Sequence, residues 1–93
     1  MLLLPATVTI AEAGDAMRML AQAVQGERDA EVTLDASGLQ RFDTSALAVL
    51  LECKRLALAG GKGFSLVRVP ERLADLARLY GLDGLLLTPV PAA

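Results

Sequence analysis

Residues 31–59, EVTLDASGLQRFDTSALAVLLECKRLALA, carry the transition on which the reading of this chain turns. Val32-Thr33-Leu34 is a short β-type run that follows a polar loop. Ala36 to Phe42 is a connection, with Ser37-Gly38 as its turn signal. Asp43-Thr44-Ser45 then opens a strongly apolar helix, expected from about Thr44 to Ala59. Gly60-Gly61 stops that helix as a glycine C-cap.

On either side of this segment the pattern continues as alternating strand and helix. Leu2 to Leu4 reads as a first strand that ends at Pro5. Thr9-x-x-Glu12 has the spacing of a capping box. Behind it Ile10, Ala13, Met17, Leu20, Ala21 and Val24 recur at helical spacing, and Gly26 closes the run. Phe64 to Val69 is the clearest strand. Pro70 suits the start of a third helix, whose apolar face is expected to hold Leu73, Leu76, Ala77 and Tyr80. Gly81 ends it, and Leu85 to Leu87 reads as a last short strand. The expected fold class is therefore α/β. It is one domain over residues 1–93, with a short, mostly parallel sheet and crossover helices packed mainly on one face.

Composition narrows the function classes. The chain has 93 residues, near the lower end of what one core can hold together. Its apolar content is 54% and its aromatic content 3%, so the core must be aliphatic. Some apolar surface is expected to stay exposed and to meet a partner. Nine basic residues against eleven acidic ones, with no basic run, argue against nucleic acid. The chain has no histidine, which removes histidine-based acid–base catalysis and most zinc sites. Cys53 is the single cysteine. It is expected as a reduced, buried thiol inside the second helix. No cofactor, metal or catalytic residue is expected. Met1 to Leu4 is too short for a membrane span and lacks a positive flank, so an intracellular, cytoplasmic location is the expectation.

A projection of the second helix at about 100° per residue sharpens the picture. Ala46, Leu47, Leu50, Cys53 and Ala57 form one arc that can face a sheet. Val49 and Leu56 flank it on one side, Leu51 and Leu58 on the other, and Glu52 and Arg55 mark the solvent side. One sheet face cannot bury both flanks. Each leucine left over and then buried by association is worth about 1.5–3 kcal/mol. Two outcomes follow: the flanks tuck under neighbouring elements, or they recruit a partner, a second copy of the isolated chain included.

Three local motifs have both a chemical and a plain reading. Asp43 is placed to cap the second helix, with Thr44 as the alternative cap. A helix N-terminus also stabilises phosphate, so Thr44 and Ser45 are modification candidates, although local chemistry favours capping. Gly60-Gly61-Lys62-Gly63 suggests a phosphate loop and fails as one. Leu56 stands where the first glycine belongs, Gly63 stands in the Ser/Thr position, and a strand follows instead of a helix. Glu71 and Asp75 share a helix face but lie among Arg72 and Arg78, as a solvated face does.

The strand–loop–"FDTSALAVLLECKRLALAGG"–strand succession resembles the STAS domain, the fold of bacterial anti-sigma-factor antagonists and of the cytoplasmic tails of sulfate transporters. Asp43, Thr44, Ser45, Ala46 and Leu47 match its Asp-Ser/Thr-small-Leu hallmark. The N-terminal part is short for the family, with one strand expected before the first helix. Within the family, "LADLARLYGL", from Leu73 to Leu82, is similar to the last helix of the small STAS subunits of Mla phospholipid transporters.

That resemblance implies a non-enzymatic protein that binds the ATPase of an ABC transporter on the cytoplasmic side of the inner membrane. Membrane association would then be indirect, through the transporter. The transporter's role is outer-membrane lipid asymmetry. It carries the functional threonine onto Thr44. Partner contact is accordingly expected from Asp43, Thr44, Ser45, Leu47, Ala48 and Leu51, with the third helix beside them. The alternative is an anti-sigma-factor antagonist, whose phosphorylated serine would fall on Ser45. A small hydrolase finds no support, since no nucleophile–base pairing is visible.

Overall fold

Val32 and Leu34 alternate with Glu31, Thr33 and Asp35, and this period of two builds the central strand of the fold. In the computed structural model, which describes residues 1–92, β3 (Glu31–Asp35) lies between β1 (Leu2–Leu3) and β5 (Gly63–Val67). Both pairings are parallel. Register partners in a parallel pair share a face, so Leu2, Val32, Leu34, Phe64 and Leu66 form one apolar surface. Val32, Leu34 and Phe64 are fully buried there, beneath α1 (Ala13–Gly26) and α2 (Thr44–Ala59). The opposite face carries Leu3, Thr33 and Ser65, and the two hydroxyls lie 3.3 Å apart. The chain is thus an α/β fold with its helices gathered on one side of a short parallel sheet, as a single STAS-like domain requires.

The second helix matches its expected limits. Ala46, Leu47, Leu50, Cys53 and Ala57 are all buried, as the projection requires. The flanks of that arc are covered more fully than one sheet face allows, because two helices help. Val49 is buried and faces α1, while Leu51 and Leu56 pack against the core edge. On the Leu51 flank, Lys54 donates to the Leu85 carbonyl at 2.6 Å and so holds α4 (Asp83–Leu86) against α2. Of the four flanking residues only Leu58 is exposed. The flank expected to attract a second copy of the chain is reduced to that residue.

Four local expectations are corrected. Thr9 does not cap a helix starting at Ile10. The chain stays extended through β2 (Thr7–Val8), which pairs in parallel with β4 (Arg41–Phe42) and buries Val8. Thr9 and Glu12 then close a turn, their side chains hydrogen-bonded to each other, and α1 begins at Ala13. Ile10 consequently points outward, 80% exposed. The N-terminal part therefore holds two strands, where the sequence suggests one.

The Leu85–Leu87 strand is instead the helical turn α4, with Leu86 buried. Three consecutive leucines have no period, and such runs suit either structure. The outer edge of β5 is closed by Val90, which exchanges both backbone hydrogen bonds with Phe64 at 2.8 Å. Tyr80 lies beyond the end of α3 (Glu71–Leu79) and is exposed, so the buried face of that helix consists of Leu73 and Ala77 with Leu76 at its margin. The glycine cluster is a helix stop, as read. Gly61 takes φ 74°, and Lys62 turns its ammonium onto the Val24 and Glu27 carbonyls at the end of α1.

Candidate functional site

Asp43 organises the start of α2. Its backbone is extended, and its carboxylate accepts the Ser45 N–H at 2.8 Å, the cap expected of this residue type. The second carboxylate oxygen accepts the Ile10 N–H at 3.0 Å. One side chain therefore ties the β2–α1 turn to the first turn of α2. Hydrogen bonds from Ser45, and then from the Ile10 amide, hold the Asp43 carboxyl below its ordinary value. With Asp43 as the cap, Thr44 has no capping role and stands exposed at the first helical position.

The two hydroxyls open on different surfaces. Thr44 lines a groove of about 490 Å³ between α2 and α3, with Phe42, Arg72, Leu76 and Leu79 as its walls. Arg72 lies over the Phe42 ring, 5.2 Å from its centre, as a cation–π pair that joins α3 to β4. Asp75 also lines this groove and is held by Arg78 at 3.0 Å, and Glu71 is exposed, so the two acids lie on a solvated helix face. Ser45 is half-buried and lines a second groove, of about 390 Å³, between α1 and α2. Its walls are Ile10, Ala13, Met17, Ala48 and Val49, almost wholly apolar.

The candidate partner residues divide accordingly. Asp43, Thr44, Ser45 and Ala48 reach the surface of the tip, and Leu51 is half-buried on the flank toward α4. Leu47 does not reach the surface. It is 3% exposed and belongs to the core, where it supports the tip from below. Cys53 lies deeper on the same arc. Burial, with a smaller contribution from Glu52, pushes its thiol up to about 12, so it stays protonated.

Sequence reasoning missed most of the groove walls. The capping-box spacing puts Ile10 on the core face, whereas it stands exposed in the α1–α2 groove, and Phe42, Arg72 and Leu79 carry no local mark of their role. They come together only because β4 and α3 meet beside the helix tip.

A family model described as "Mlab, STAS domain" matches residues 2–88. The chain belongs to this family. The match spans every strand and helix described above, so the family assignment covers the full set of elements. Comparison with curated proteins yields no match. As a STAS-domain protein of the MlaB type, the chain carries a fold associated with protein–protein interaction. No helix among the described residues is long and apolar enough to cross a membrane.

Proposed function

We propose that this STAS domain is a non-catalytic subunit that binds and supports the ATPase of a phospholipid-transporting ABC complex serving outer-membrane lipid asymmetry. One observation carries the reading. Asp43 takes over the capping, which leaves the Thr44 hydroxyl at the rim of the α2–α3 groove for an outside partner. Thr44, Ser45 and Ala48 form the contact surface, Asp43 and Leu47 hold it in place, and Leu51 extends it along the flank. The protein sits on the cytoplasmic side of the inner membrane and reaches the membrane through the transporter. Binding favours an active ATPase arrangement, and by linkage the nucleotide state of the ATPase alters the affinity for this subunit by the same factor.

The test is a pull-down with the cognate ATPase of the proposed transporter, using Thr44→Arg and Thr44→Glu. Retained binding in both variants removes this surface from the proposal.

A second reading draws on Ser45. A phosphate there would carry about −1.5 to −2 charges into an apolar groove and against the Asp43 carboxylate. It would expel an apolar partner, the behaviour of an anti-sigma-factor antagonist. A phosphopeptide containing Ser45, formed with an anti-sigma kinase and ATP, supports that reading. Phosphate on Thr44 alone, or none, counts against it.

A further inference from the structure

Among the described residues, Arg68 is the one non-glycine with a positive φ, at 51°. Glycine is the ordinary occupant of that region, since any Cβ is disfavoured there. Arg68 stands in the joint between β5 and α3, one residue past Val67 and two before Pro70. Its side chain reaches back across the sheet. Nε donates to Asp35 Oδ2 at 3.0 Å, and Nη2 donates to the same oxygen.

Asp35 is only 4% exposed, and its other oxygen accepts the Ser37 N–H at 2.9 Å. The Ala36 N–H bonds the Val67 carbonyl at 2.9 Å, so the ends of β3 and β5 are fastened together directly under the joint. What hangs from this anchor is α3. The helix has nine residues and fully buries only Leu73 and Ala77, yet it supplies Arg72, Leu76 and Leu79 to the groove beside Thr44. With two buried side chains, the Arg72–Phe42 pair and α4 as its other holds, α3 depends on its attachment at the joint for its exact position. A strained residue persists where its surroundings over-determine it, and here the buried carboxylate does so.

We propose that Arg68 is a positioning residue: its ion pair with Asp35 holds the strained joint and sets where α3 stands against the tip of α2, so that the groove is shaped before a partner arrives. Such preorganisation lowers the ordering cost of docking. The docking half of this inference rests on the ATPase-binding reading, and the positioning half does not.

Hydrogen exchange on the isolated full chain, followed by mass spectrometry, tests the positioning half. In Arg68→Gly, which suits the backbone but removes the ion pair, α3 amides exchange at least about tenfold faster while those of β3 and α2 keep their rates. Arg68→Lys, whose ammonium still pairs with Asp35, keeps most of the α3 protection. The double variant Asp35→Asn/Arg68→Gly leaves no unpaired carboxylate and shows the same α3-restricted loss. In parallel, affinity for the ATPase subunit falls about tenfold in the glycine variants and less in Arg68→Lys. Unchanged α3 protection in both glycine variants overturns the proposal. So does a loss spread equally over β3 and α2, or global unfolding of both variants. If the unaltered chain does not bind the ATPase, the docking reading fails, and the exchange data still decide the role of Arg68.

Discussion

The two grooves beside the α2 tip differ in almost everything but their shared helix. The α1 side is apolar, and its one polar hydroxyl, Ser45, is half-buried. The α3 side mixes Phe42, Leu76 and Leu79 with Arg72 and the exposed Thr44. Adjacent residues on a helix point about 100° apart. Two neighbouring hydroxyls in one motif therefore address two different surfaces. A motif that looks like one site in sequence thus opens on two grooves: the proposed ATPase contact centres on Thr44 and extends over Ser45 and Ala48, whereas the antagonist reading turns on Ser45 and the α1 groove alone.

The most severe way to break the comparison is to remove what both grooves share. Leu50 is buried at the centre of the α2 arc. Leu50→Ala is expected to cost about 2–5 kcal/mol in urea unfolding. A smaller cost would mean that α2 is not the common core of the two surfaces.

A pair of surface variants separates them. Thr44→Arg fills the α3 groove and is expected to weaken ATPase binding at least about tenfold, or about 1.4 kcal/mol. Ala48→Arg fills the α1 groove and is expected to weaken it less. Isothermal titration with both proteins measures the two losses, and the reverse order would assign the partner to the α1 side.

The next effect is a pH dependence at the residue that joins the grooves. Asp43 has a lowered carboxyl pKa in the folded state, so the unfolded chain takes up its proton first. The stability it contributes is complete above the unfolded value of about 3.9 and is lost as pH falls through the folded value. Asp43→Asn keeps a capping side chain but loses this titration. Urea melts taken down through the acid range should show a shallower fall for the variant. Equal slopes would show that the Asp43 carboxylate does not titrate with folding.

The smallest expected change in stability is at Leu79, which is 78% exposed on the α3 wall. Leu79→Ser is expected to alter stability by less than about 0.5 kcal/mol. A measurable loss of ATPase affinity in the same variant would sharpen the assignment to the α3 groove, and unchanged affinity would restrict the contact to α2.

The sequence is most legible where its signals are local. The limits of α2 follow from an aspartate cap, an apolar arc and a glycine stop, all within the helix or next to it. The parallel strands around Val32 and Phe64 are legible for the same reason, since burial on one face imposes an alternating pattern. The β2–β4 ladder is not, because two-residue strands have no period and exist only through their partner. α4 failed in a related way, since an unpatterned leucine run takes its shape from Lys54 and the surface of α2.

The same division runs through the site. From residues alone come the hydroxyl pair at a helix N-terminus, the buried Cys53 and the exclusion of histidine chemistry, each set by residue type and helical spacing. The fold decided that Thr44 faces α3 while Ser45 faces α1, and that Asp35 and Arg68 meet across 33 positions of chain. These depend on long-range contacts, and a side chain's neighbours across the fold leave no trace in the residues beside it.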